Sequence, residues 1–350
     1  MAYTTINKST DYFNTILYTG DGTTKTISGV GFQPDMVWGK GRNSSSSHSV
    51  VDAVRGATKS VFPNTTAVED TNSTSYLTAF TSDGYSVNSS SNFNVNSRTQ
   101  VNWNWKANGQ GSSNTDGSIN TTYTSVNTTA GFSISKYVGN DTAGATVGHG
   151  LGAVPEMMIV KRLSGSAQHW SIYHKDIGNT HYMQFDTNAK LDDAGVWYDT
   201  SPTSTVFTIG NSSKVNGGGG SDSYIAYCFT PKTGYSKFGS YVGNNNNDGS
   251  FIYTGFAPSF VMVKNTQTAR DWMMFDNKRT DGNPNLVNKY LIANGTDTEG
   301  SNSTTGVDFL SNGFKCRNTF GSVNHAETYI YMAFASAPLV GSNNIPATAR

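Results

Sequence analysis

Along three stretches of the chain, large apolar side chains alternate with small or polar ones. Val101, Trp103 and Trp105 alternate with Asn102 and Asn104, Ile225, Tyr227 and Phe229 with Ala226 and Cys228, and Ile330, Met332 and Phe334 with Tyr331 and Ala333. A period of two with one large apolar face predicts a β-strand lying on a core. Upstream of each stretch a run begins at proline and reaches lysine six residues later: Pro34 to Lys40, Pro155 to Lys161 and Pro258 to Lys264. The second and third runs are apolar on both faces, which predicts interior strands, with proline at a first position where no ladder donor is lost. Further upstream stand Tyr18-Thr19-Gly20-Asp21, Tyr137-Val138-Gly139-Asn140 and Tyr241-Val242-Gly243-Asn244. Asp83-Gly84-Tyr85 and Asn312-Gly313-Phe314 read as tight turns entering strands, with Val206-Phe207 in the corresponding place of the middle unit.

The prolines stand 121 and 103 residues apart, so the pattern is one unit repeated. The expected fold is all-β: tandem β-sandwich modules of jelly-roll or lectin-like type, in three related repeats. The expected boundaries are 1–108 for the first repeat, 109–127 for a polar linker and 128–234 for the second repeat. The third spans 235–350 and includes a C-terminal tail. The join at Pro231-Lys232-Thr233-Gly234 is short, so the second and third repeats should be held more rigidly together than the first and second.

Composition narrows the function. The chain has 24 basic and 24 acidic residues among 350, a net charge of zero, and only 14% charged residues. Its polarity comes from Asn, Ser, Thr and Gly. A neutral chain lacks the footprint of a nucleic-acid binder or of a protein docked on an anionic membrane. The first residues show no basic n-region or apolar h-region, and no apolar run is long enough to span a bilayer. Two cysteines, Cys228 and Cys316, make no CxxC and no disulfide framework, which points to folding in a reducing cytoplasm.

Candidate chemistry is sparse. His149, in Val147-Gly148-His149-Gly150-Leu151-Gly152, fits neither a dinucleotide nor a P-loop pattern and reads as a turn histidine. His169, His174 and His181 lie close enough in sequence to suggest zinc, but alternation places His169 and His174 on opposite faces. Asp52 with Arg55 and Asp276 with Arg279 share a three-residue spacing, broken in the middle unit by His174 and Ile177. Each pair reads as a structural ion pair pinning a loop, with a ligand clamp as the alternative. Asp21, Asp141, Asp248 and Asp192-Asp193 could bind calcium but equally cap their own turns. Lys40, Lys161 and Lys264 read as gatekeepers against edge pairing. No carboxylate pair, nucleophile elbow or ordered Ser, His and Asp set is nominated, so no enzyme activity, catalytic residue, cofactor or metal is expected. The core-strand markers are Trp103, Trp105, Tyr227, Phe229, Met332 and Phe334. Exposed aromatics beside Asn-rich loops leave stacking on a sugar open.

Several long strings, in order, carry a resemblance: Tyr12 to Pro34, NWNWKANG at 102–109, SSNTDGSINTT at 112–122, TAGATVGHGLG at 142–152, GYSKFGSYVGN at 234–244, FLSNGFKCRNT at 309–319 and TYIYMAFASAPL at 328–339. They resemble a repeated β-domain of virion structural proteins from tailed phages of marine bacteria, over nearly the whole chain. One departure is the Ser44 to Ser47 run, where the other units place Trp170 and Trp272. The resemblance implies a non-enzymatic virion component, assembled in the host bacterial cytoplasm and displayed on the particle surface as a head decoration, knob or fibre-type protein. Its implied partners are other capsid or tail proteins and further copies of itself as a homo-oligomer, without nucleic acid and without membrane insertion. The alternative is a tail-fibre adhesin that recognises host surface glycan.

Overall fold

The computed structural model describes residues 3–89, 91–217, 219–280, 285–301 and 306–341. The protein is all-β: among the described residues the only helical element is one 3-10 turn, Ser9–Asp11. Three main antiparallel sheets share a common plan. In each, an opening strand (Phe13–Thr19, Phe132–Val138, Ser236–Val242) pairs with the closing strand (Thr99–Trp105, Ser223–Phe229, Thr328–Pro338). The closing strand pairs with the run ending in lysine (Met36–Gly41, Met157–Arg162, Phe256–Asn265), which pairs with a fourth strand (Ser49–Asp52, Ser171–His174, Met273–Asp276). The registers correspond: Trp103 lies opposite Thr15 and Trp38, Tyr227 opposite Ile134 and Ile159, and Met332 opposite Phe238 and Met262.

Each main sheet is one layer of a β-sandwich. Its second layer is a smaller sheet, built from 25–27, 77–81 and 84–87 in the first module and from 145–148 and 206–209 in the second. In the third it comprises 251–253, 286–287, 307–310 and 313–316. The closing strands therefore divide their side chains between two cores. Asn102, Asn104, Ala226, Cys228, Tyr331 and Ala333 face their own second layer, and the last four sit in its apolar cluster. The opposite faces of all three main sheets meet in one shared core that holds all six marker residues, each at most 3% exposed. Phe13 stacks on Phe334 at 4.9 Å, Trp103 meets Phe260 at 5.6 Å, and Phe185 touches Trp38, Trp170 and Trp272 at 5.5, 5.6 and 5.2 Å. A void of about 10 Å³ is all that remains among Trp38, Trp105, Trp170, Phe229 and Met332. Three sheets each buried on both faces explain why the proline-to-lysine strands carry almost no polar side chain.

The modules thus close around a common centre instead of following one another like beads. Residues 109–127, read as a polar linker, are built into the second module. Tyr123–Asn127 form the edge strand of the second main sheet, and Ser112 bridges to Thr124. The C-terminal tail expected at the end of the third repeat lies, from residue 342, outside the described residues.

One device holds each opening strand to the loop before its closing strand. Tyr18, Tyr137 and Tyr241 donate their hydroxyls to the carbonyls of Phe93, Val215 and Val323 at 2.6, 2.7 and 2.6 Å. The next residues, Asn94, Asn216 and Asn324, are buried. Their side-chain oxygens accept the N–H of Asp21, Asn140 and Asn244, which fixes the turn after each tyrosine.

Candidate functional site

The charged residues singled out from the sequence lie on the seams between modules, inside the protein. Asp52 and Arg55 have fully buried side chains, with Arg55 Nε 2.5 Å from Asp52 Oδ2. The Tyr227 hydroxyl, from the second module, donates to the same carboxylate oxygen at 2.7 Å. Asp276 and Arg279 repeat this at 2.6 Å, and their outside donor is Trp103 Nε1 of the first module, at 3.0 Å. At the remaining seam the closing strand offers Met332, which has no donor. There His174 and Ile177 replace the ion pair, and His174 Nε2 donates to the Tyr331 carbonyl at 3.3 Å. Glu69 and Glu299 face the two arginines at 3.3 and 3.1 Å; in the middle module, where Ile177 stands in place of the arginine, Lys190 is found at the corresponding place. The broken Asp-to-Arg spacing is therefore a matched exchange: a buried ion pair is kept where a neighbour donates a hydrogen bond to it, and dropped where none can.

Burial disfavours the Arg55 cation, but the negative charges of Asp52 and Glu69 outweigh it and raise its pKa. Burial pushes the Tyr227 hydroxyl well above its ordinary value. His174 is drawn down to about 4 by burial and His48 to about 3, so both are neutral near pH 7.

The three lysines are not gatekeepers on edges. Lys40, Lys161 and Lys264 are at most 1% exposed, and each donates to a neighbouring module. Lys40 Nζ reaches the Thr296 carbonyl at 3.3 Å, Lys161 the Thr66 carbonyl at 3.0 Å, and Lys264 the carbonyls of Asp186 and Thr187 at 3.2 and 3.1 Å. Burial lowers each of them to about 8. Reciprocal backbone bonds run beside them: Glu299 N to Arg42 O, Glu69 N to Leu163 O and Lys190 N to Thr266 O. The tryptophan missing from the first fourth strand is also accounted for. Trp170 and Trp272 donate across seams to the carbonyls of Phe62 and Gln184 at 2.9 and 2.7 Å. In the first module His48 donates to the Ile292 carbonyl at 2.9 Å, and Trp38, one strand away, supplies the indole and donates to His48 Nδ1.

The remaining nominees are scattered. His169 is half-exposed and 3.9 Å from Asp186, His174 is on a seam, and His181 lies beside Asp192, so the zinc reading fails. No group of three or more His, Cys, Asp or Glu able to hold a metal is found among the described residues. His149 is buried and donates to the Thr203 carbonyl as part of its turn. Asp21 accepts from Thr23 N, Asp193 from Val196 N and Trp197 N, and Asp248 pairs with Lys315, so these carboxylates cap loops. Both cysteines are buried and free, and burial drives the Cys316 thiol up to about 12. Two larger accessible hollows lie among the described residues. One, of about 460 Å³, lies where Asn64, Asp186 and Asn294 of the three modules meet over Phe185. The other, of about 330 Å³, opens in the first module and is lined by Lys40, Ser46, Ser47, Tyr76, Phe93 and Arg98 among others. Arg98 and its hollow could have been suspected from sequence only by aligning the modules residue by residue.

Fold and seams together define an all-β protein of three sandwiches sharing one core. Residues 8–338 match the model of the family described as a domain of unknown function (DUF7483), and the chain belongs to that family. No curated protein and no solved structure matches it. No helix among the described residues is long and apolar enough to cross a membrane.

Proposed function

We propose that the protein is a non-enzymatic structural component of a phage virion, displayed on the particle surface as a head decoration, knob or fibre-type protein and held by protein–protein contacts. The observation that carries this reading is where the reactive side chains lie. Lys40, Lys161, Lys264, Arg55, Arg279, His48 and His174 are buried and tied into seams, and both thiols are buried in the outer layers. The result suits a rigid block. A neutral exterior rich in Asn, Ser and Thr suits exposure in a concentrated assembly, because it offers few nonspecific contacts. The resemblance of the ordered strings to those of tailed-phage structural proteins is what suggests the virion setting. The partners are then capsid or tail proteins and further copies of the chain.

The test is immunogold labelling and electron microscopy of intact particles. Labelling at regular positions on head or tail supports the proposal, and its absence from purified particles refutes it. A second reading, a tail-fibre adhesin for host surface glycan, is favoured by the hollow in the first module. Saturable sedimentation with host cells, without saturable binding to empty capsids, would select it.

A further inference from the structure

The three modules act as controls for one another, and the hollow in the first has a specific origin. In the second, the Arg162 side chain fills this space and pairs with Asp222, across from Tyr224. In the third, Asn265 fills it and donates to Glu327 at 2.6 Å, across from Tyr329. Tyr224 and Tyr329 stack on Tyr137 and Tyr241 at 5.3 and 5.0 Å. In the first module the corresponding residues are Gly41 for Arg162 and Asn265, Gln100 for the stacked tyrosine, Gly39 for Val160 and Val263, and Arg98 for the carboxylate.

Two side chains and one ring are therefore absent; Phe93 and Arg98 lie directly over the two glycines, and the hollow opens beside them. A Cβ on Gly39 would come within 2.2 Å of the Phe93 ring, and one on Gly41 within 2.7 Å of Arg98 Cδ, so both glycines define its wall. The acid that elsewhere completes a buried polar pair is replaced by an arginine. Arg98 Nε is buried without a hydrogen-bond partner, an arrangement that leaves a cationic donor unsatisfied. The wall also holds Lys40, whose cation feels the charge of Arg98, and no carboxylate lines it. Serine hydroxyls and side-chain amides line it together with the rings of Phe62, Tyr76 and Phe93, a mixture suited to a hydroxylated ring.

We propose that this hollow binds a sugar ring bearing a carboxylate, with Arg98 pairing to the carboxylate and Phe62, Tyr76 and Phe93 walling the ring. The ligand anion would restore the acid–base pair of the second module with its polarity reversed. The cavity alone carries this site, independently of either virion reading, and an acidic sugar bound there would be the adhesin's ligand.

The experiment is calorimetric titration of the full chain with methyl β-D-glucuronide, free D-glucuronate and methyl β-D-glucoside. The acidic sugar should bind saturably and about tenfold or more tighter than the neutral one, as expected for a charge-assisted pair. Tighter binding of the glycoside marks the end of a glycan chain as the source, and tighter binding of the free acid marks a soluble sugar acid; either supports the site. Arg98→Gln, which removes the cation whose Nε has no hydrogen-bond partner, should reduce glucuronide binding to the level of glucoside. Gly41→Asn, copying the third module, should abolish both. The proposal is overturned if the wild-type protein shows no saturable binding of either acidic sugar, or if R98Q binds them as the wild type does. Neither outcome depends on where the protein sits in a particle.

Discussion

Replacing Asp52 by alanine should be among the most damaging single changes in the protein. Asp52 accepts from Arg55 N at 2.8 Å, Arg55 Nε at 2.5 Å and the Tyr227 hydroxyl at 2.7 Å, all in a fully buried setting. In D52A the guanidinium keeps the Val50 carbonyl at 2.8 Å and the partly exposed Glu69 at 3.3 Å, but it loses its buried counter-charge. Leaving one partner of a buried pair costs about 3–5 kcal/mol. The protein carries its own remedy in the seam built from His174, Ile177 and Met332. The triple variant D52H/R55I/Y227M transplants that solution and removes the uncompensated charge, so it should be more stable than D52A by about 2 kcal/mol. Guanidinium unfolding followed by tryptophan fluorescence compares the two. A D52A cost below about 1 kcal/mol, or a triple variant less stable than D52A, would refute the reading of the seams as matched solutions.

Three more outcomes follow from the same geometry. Burial holds Lys40, Lys161 and Lys264 near 8 in the folded state, so between about pH 8 and the unfolded value near 10.4 the folded protein binds fewer protons and stability rises with pH. Urea midpoints should climb from pH 8 to about 9.5, before tyrosine ionisation intervenes, and Lys264→Met should flatten the slope; identical slopes would contradict it. His174, held at about 4, contributes stability that is present above its unfolded value near 6.5 and lost as pH falls through 4, so His174→Gln should shrink the loss between pH 7 and 5 by about 2 kcal/mol. An unchanged pH profile would show that the imidazole is charged when folded. Because Cys228 and Cys316 are buried free thiols, the native protein should react with a thiol reagent only after denaturant is added; rapid native labelling would mean that the outer layers open readily.

The closing strands and the proline-to-lysine runs were legible because period-two burial leaves a mark in any sheet. The shared core was not. Trp103, Tyr227 and Met332 show that a strand has an apolar face, but not that three such faces meet, since any large partner satisfies the pattern. The lysines misled for a related reason. A lysine closing an apolar strand looks the same whether it guards an edge or donates to carbonyls of another module, and the donation depends on residues as distant as Thr296. Asn94, Asn216 and Asn324 went unnoticed because asparagine is abundant. Their signal was a buried hydrophobe immediately before each: Phe93, Val215 and Val323. His48 standing for an indole was hidden because Trp38 supplies that indole from a different strand.

Three sandwiches close around one interior, so that none should unfold while the others stay intact. Differential scanning calorimetry of the full chain tests this directly, by comparing the calorimetric enthalpy with the van't Hoff enthalpy. A single transition with a ratio of about 1 is predicted. Two or three resolved transitions, each with the heat of one sandwich, would show that the modules are independent and that the common core does not bind them together.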